Sequence, residues 1–279
     1  MWSRCWLGSD EGVTQRRRDA EGERRAEFDQ AAMYRAFIRV VSPQVAEVPS
    51  QEAHHLVKVR RLSSGDRFLG LDGQGGLFLC RLERGGQGWM AQIEEQLSQQ
   101  SESPLEITLA QAMLKKDNFE WVIQKSAELG VRCIVPLVTV RTEVRPRPAG
   151  AERKQARWQK ILAEAVKQSG RLQLPVVQEL VPLEEFCSAD ESEIRLVLDE
   201  AATIPLREIL DQRPPPLSCS LIIGPEGGWD DRDREIFQRR SLHTVHLGPR
   251  ILRAETAPIA ALAILQYQWG DLERDVVRL

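Results

Sequence analysis

Within residues 221–265 one pattern occurs twice: a short apolar run, a Gly-Pro dipeptide, a loop, then a helical period. Leu221-Ile222-Ile223 runs into Gly224-Pro225-Glu226-Gly227-Gly228. Val245-His246-Leu247 runs into Gly248-Pro249-Arg250-Ile251-Leu252-Arg253-Ala254-Glu255-Thr256-Ala257. Apolar runs of this length bounded by turn residues read as buried strands, so the chain is committed to two strand–loop–helix units. Three glycines in five residues let backbone lie against a ligand with no Cβ atoms between. No Gly-Lys-Ser/Thr follows, which excludes a Walker loop, and the spacing is not that of a dinucleotide fingerprint. The second loop sets two arginines and a glutamate ahead of an apolar helix. Pro258 fits that helix start, where amides lack intrahelical partners. Taken singly, either loop also fits an ordinary βα turn.

Upstream the alternation continues. Strands are expected over residues 105–113, 131–138 and 194–198, with a short one after Pro175. Helices are expected over 119–129, 151–168 and 205–211 and from Leu183, with Gly130 and Gly170 as stops. Such alternation predicts a mostly parallel sheet covered on both faces. Residues 37–41, 67–71, 77–81 and 89–93 instead read as short strands parted by glycine turns, the pattern of a small β-barrel. The polar stretch 98–104 reads as a linker, and residues 1–32, with no sustained apolar period, as a disordered extension. The expected domains are therefore 33–100 and 101–279.

The composition, 42% hydrophobic and 28% charged, is that of a soluble globular protein. No apolar run reaches membrane-spanning length and no signal-peptide core is present, so a cytoplasmic protein with no membrane partner is expected. Five cysteines without CxxC spacing point to neither a zinc site nor a disulfide framework. The net charge of −3 is segregated: residues 141–171 hold nine Lys/Arg against three Asp/Glu, and residues 181–200 hold seven acids and one Arg. The basic segment can neutralise the phosphates of a polyanion, or simply form a solvated helix face. His54-His55 reads as a polar turn rather than a metal pair, because no third ligand lies at helical spacing.

The order GPEGG, then LGPRILRAETA, resembles the signature of the RsmE family of SPOUT methyltransferases, which methylate N3 of a uridine in small-subunit ribosomal RNA with S-adenosylmethionine. The resemblance covers residues 34–272. It implies an α/β chain whose C-terminal SPOUT domain has a mostly parallel sheet and a trefoil knot, preceded by an N-terminal PUA-like β-barrel that binds RNA. It also implies a homodimer, with 16S ribosomal RNA or the assembled small subunit as partner. Matching the family's loops assigns Leu198, Gly224, Pro225, Glu226, Gly227, Leu247, Gly248, Ile251 and Leu252 to the cofactor pocket.

Arg253 and Glu255 become the catalytic candidates. Arg253 would stabilise charge on the uracil or orient its phosphate, and Glu255 would position Arg253 or the base; a salt bridge at a helix start is the competing account. Lys58, Arg60 and Arg61 match the barrel's basic segment and read as phosphate contacts. Gln124-Lys125-Ser126-Ala127-Glu128-Leu129-Gly130 and Lys167-Gln168-Ser169-Gly170-Arg171 resemble two further signatures. Lys125, Glu128, Gln168 and Arg171 thereby become candidates for holding the target nucleotide, although Lys125 and Glu128, three apart, equally suit an intrahelical ion pair. Ala254 stands where the family has Thr, and Lys167 where it has Glu. These departures keep open an alternative, an RNA-binding ribosome assembly factor that has lost transfer. The helix over 258–269 is apolar around its whole circumference and should need burial on more than one side.

Overall fold

The computed structural model describes residues 33–86, 88–144 and 148–273, so the expectation for residues 1–32 lies outside the described residues. The chain divides between Gln99 and Gln100, inside the expected linker.

In the N-terminal unit, β1 (Arg35–Phe37), β2 (Arg39–Ser42), β3 (Val45–Val48), β4 (Arg67–Leu71), β5 (Leu77–Gly85) and β6 (Gly88–Leu97) form one sheet in the order β1-β4-β5-β6-β3-β2. The strand expected over 37–41 is thus two strands, at opposite edges of that sheet. Only Ile38 separates them, so the sheet must curl until its edges meet. Chain continuity makes the barrel. Its core gathers Ala36, Ile38, Ala46, Val48, Leu56, Phe68, Cys80, Leu82 and Ala91. β3 shows the alternation of a half-buried strand, with Ala46 and Val48 inside and Val45 and Glu47 outside, but is too short to stand out in the sequence. The histidine pair corrects another expectation: His54 ends helix α1 (Ser50–His54) and His55 opens a π-helical turn, His55–Val59, so the pair is helical rather than a turn.

The C-terminal unit holds β7 (Glu106–Ala112), α2 (Asn118–Glu128), β8 (Cys133–Val138), α3 (Pro148–Ser169), β9 (Val176–Val177), β10 (Val181–Pro182), α4 (Leu183–Ala189), β11 (Ile194–Leu198), β12 (Ile204–Pro205), α5 (Leu206–Gln212), β13 (Ser218–Ile223), α6 (Asp231–Arg239), β14 (His243–His246) and α7 (Thr256–Gln268). The sheet order is β10-β8-β7-β13-β11-β14-β12, with β9 beside β8, and every pairing is parallel. Apolar clusters on both faces account for the near-continuous Val/Ile/Leu runs of the strands. The last strand, β14, sits between β11 and β12, which are consecutive in the chain.

Local chemistry sets the helix ends. α2 buries Phe119, Val122, Ile123 and Ala127 at helical spacing. It stops at Gly130 (φ +80°), whose N–H donates to Ala127 O while that of Val131 donates to Ser126 O. This is a Schellman end, which needs a residue in the left-handed region. α6 ends the same way on Ser241 (φ +53°), a residue less suited to that conformation. α6 begins with a capping box, the Asp230 and Asp233 carboxylates receiving each other's segment amides.

Within this chain α7 is covered on one side. Pro258, Ala261, Leu262, Leu265 and Gln266 are buried, whereas Ile264 and Tyr267 remain 41% and 56% exposed within this chain. One side of an apolar helix is left uncovered.

Candidate active site

The ends of β11, β13 and β14 open onto a cleft of about 740 Å³. Open α/β sheets bind ligands at the carboxyl ends of their strands, and the parallel register brings these three ends to one level. All nine residues expected to hold a cofactor line it: Leu198 from β11, Gly224 to Gly227 from the first loop, and Leu247, Gly248, Ile251 and Leu252 from the second. Arg253 and Glu255 lie on the same wall.

Tertiary contacts explain the glycines. A Cβ on Gly224 would stand 3.0 Å from the Trp229 ring. That ring is fixed, since its N–H donates to Leu198 O at 2.7 Å and it packs T-shaped with Phe237, ring centroids 4.8 Å apart. Gly227 lies under Arg141, whose Nη1 donates to Gly227 O at 3.1 Å and whose Nε is 3.5 Å from Asp230. Gly228 and Gly248 have φ of +67° and +114°. The Gly248 N–H donates to His246 Nδ1 at 3.0 Å, which leaves the ring proton of the neutral imidazole on Nε2.

Glu226 lines the cleft, yet its Oε1 accepts the Lys115 backbone N–H at 2.7 Å. It is therefore a strut between the loops that follow β7 and β13. The Lys115 ammonium is 2.6 Å from Glu143, and this hydrogen bond holds its pKa above the usual lysine value. At the end of β11, buried Asp199 receives the Arg234 guanidinium through two bonds, of 2.8 and 3.2 Å, and that pairing raises the arginine pKa.

Arg253 is 85% exposed and 3.9 Å from Glu255 Oε1, too loose a pair to tie the guanidinium down. Glu255 occupies the N-cap position of α7 without a side-chain capping bond. Neither contact is that of a fixed structural salt bridge.

The remaining candidates separate. Lys125 and Glu128 form the intrahelical ion pair, at 2.8 and 3.0 Å, and are outside the cleft lining. Gln168 is exposed on α3, also outside the lining. Arg171 is corrected: its side chain is 5% exposed, Nη1 donates to Ala127 O and Val131 O at 2.9 Å each, and Nε and Nη2 donate to Glu102 at 3.1 and 2.6 Å. A guanidinium so buried and so engaged is an anchor for the turn after α3. Lys58, Arg60 and Arg61 are exposed in the N-terminal unit, where Arg60 also stands 4.7 Å over the Tyr34 ring.

The basic segment 141–171 is likewise partly spent on protein contacts, since Arg157 pairs with Glu120 at 2.6 Å and Lys167 with Glu164 at 2.8 Å. Ala254, one of the two departures from the family pattern, packs against the core. Asn118, Asp199, Trp229 and His246 also line the cleft and were not singled out in the sequence. The position of Asp199, directly after an apolar strand, was the available signal; Trp229 gave none, because the Leu198 carbonyl that fixes its ring lies 31 residues away.

Comparison with known proteins bears directly on this cleft. A family model described as an RNA methyltransferase domain matches residues 101–266, and one described as an RNA methyltransferase PUA domain matches residues 48–87. The ribosomal RNA small subunit methyltransferase E of Synechocystis is 37% identical, covering 82% of this chain and 76% of that protein. The protein of the same name from Bacillus subtilis is 30% identical over 87% of this chain and 100% of its own length. A crystal structure of ribosomal RNA small subunit methyltransferase E from Neisseria gonorrhoeae, bound to S-adenosyl methionine, matches with a TM-score of 0.78 and 33% identity over 86% of this chain and 99% of that one.

Proposed function

Because the chain belongs to the ribosomal RNA small subunit methyltransferase E family, we propose that it methylates N3 of a uridine in 16S ribosomal RNA, with S-adenosylmethionine as cofactor. The observation that carries this reading is the convergence of both glycine loops on one cleft, with an exposed arginine on its wall. The cleft suits the cofactor: its volume is in the range of small-molecule sites, Leu198, Leu247 and Leu252 offer apolar surface to a base, and glycine backbone lets polar groups approach closely. When bound, S-adenosylmethionine supplies a methyl group activated by its sulfonium.

The chain's own work is alignment and electrostatics. Uracil N3 carries a proton in its resting form, so the acceptor must lose it and the resulting charge must be stabilised. Arg253 supplies a permanent cation for that charge, and Glu255, on the same wall at the start of α7, positions the base. Contacts of Trp229, Arg141 and Glu226 hold the first loop in place.

The proposal extends to the assembly and the chain path. The uncovered side of α7, with Ile264 and Tyr267, fits a homodimer interface. The insertion of β14 between β11 and β12 is consistent with the chain path of a trefoil knot. Lys58, Arg60 and Arg61 serve as phosphate contacts. Among the described residues no helix is long and apolar enough to cross a membrane, which accords with action on ribosomal RNA in the cytoplasm.

The test is nucleoside mass spectrometry of unmodified small-subunit RNA, free or in subunits, after incubation with labelled S-adenosylmethionine. Label is expected in 3-methyluridine, reduced at least 100-fold in Arg253→Ala while cofactor affinity stays within about threefold. Label in another nucleoside would overturn the specificity, and no label on either substrate would overturn the activity.

A further inference from the structure

A second concave surface lies wholly in the N-terminal unit: a groove of about 580 Å³ between the helical segment α1–Val59 and strands β3 and β6. Val48, Val57, Trp89 and Met90 give it apolar walls, and His54 and Lys58 stand in its lining. Trp89 pairs with Val48 across β3 and β6 and packs against the barrel core with only part of its indole, the rest facing the groove. Of the other aromatic rings in this unit, Phe68 and Phe78 are buried, Arg60 stands over the Tyr34 ring, and Phe37 lies outside the groove lining.

The charge around the groove favours an anion. Lys58 is followed by exposed Arg60 and Arg61, and the acid in the lining, Glu47, is 3.1 Å from Arg39. An aromatic face in an apolar slot with cations beside it matches the chemistry of an unstacked nucleotide, whose base stacks while its phosphate is neutralised. A purely apolar peptide would leave the cations unused.

We propose that this groove is a second RNA site, which takes a single unstacked base against Trp89 while Lys58 meets the adjoining phosphate. Stacking is indifferent to salt and phosphate contact is not, so the two roles separate experimentally. The inference rests on the reading that the chain acts on ribosomal RNA.

The experiment is equilibrium binding of the full chain to a single-stranded fragment of small-subunit RNA across a salt series, with Trp89→Ala, Trp89→Phe and Lys58→Ala. Trp89→Ala is expected to weaken binding about tenfold with an unchanged slope of log affinity against log salt. Trp89→Phe should recover most of it. Lys58→Ala should reduce the slope by about 0.7. Affinity for S-adenosylmethionine should be unaltered in all three, as a control for folding. Wild-type affinity in Trp89→Ala, or a loss that Phe does not restore, would overturn the groove while leaving the methyltransferase reading intact. A wild-type chain that neither binds nor methylates the RNA would overturn both.

Discussion

Replacing Arg171 with alanine distinguishes an internal anchor from a nucleotide contact. The guanidinium makes two bonds to main-chain carbonyls and two to Glu102 while almost fully buried. Breaking a buried pair by removing one partner costs about 3–5 kcal/mol, because the survivor is left uncompensated. Here Glu102 retains the Leu172 and Gln173 amides at 2.9 and 3.1 Å and is 23% exposed, which places the cost near the lower end, about 3 kcal/mol. For a unit of this size each kcal/mol moves the midpoint by about 2–4 °C, so Arg171→Ala should unfold roughly 6–12 °C early. Arg171→Lys, which keeps the charge but not the fork, should fall between. The assay is thermal unfolding followed by circular dichroism, with RNA and cofactor affinities measured well below the transition. A midpoint within about 2 °C of wild type, together with a tenfold loss of RNA affinity, would refute the anchor and restore Arg171 as a nucleotide contact.

Two further substitutions probe the frame of the cleft. Gly224→Ala would press a methyl group on a Trp229 ring that cannot retreat from Leu198 O and Phe237. The overpacking should cost about 1–3 kcal/mol and weaken S-adenosylmethionine binding about tenfold, measured by calorimetry; undiminished affinity would show that the ring yields. Ser241→Gly, at the end of α6 and outside the cleft lining, should raise stability by about 0.5–1 kcal/mol by relieving a left-handed non-glycine residue, with cofactor affinity unchanged. A lower unfolding midpoint in that variant would contradict the assignment of strain.

Much of this molecule could be read locally. The apolar runs before Gly224 and Gly248 are strands, Gly130 and Gly170 end helices at positive φ, and the polar stretch 98–104 holds the division between units. Such features are legible because period, helix stop and turn chemistry act over a few residues. The departures concern segments whose structure is decided elsewhere. Residues 37–41 carry one apolar run, yet Ile38 hands the chain from one sheet edge to the other. Arg171 looked like part of a binding motif, but Glu102 and the end of α2 enclose it.

The sequence by itself determined the alternation of strands and helices, the two glycine loops and hence the family, because each is a pattern of neighbours. Only the tertiary structure decided why those glycines are needed, which charges are spent on protein contacts and which side of α7 stays uncovered. Those answers depend on Trp229 beneath Gly224, Arg141 over Gly227 and Glu226 on the Lys115 amide. Arg141, Lys115 and the Leu198 carbonyl that fixes Trp229 lie 86, 111 and 31 residues from their partners, and spacing along a sequence holds no record of a contact that packing alone creates.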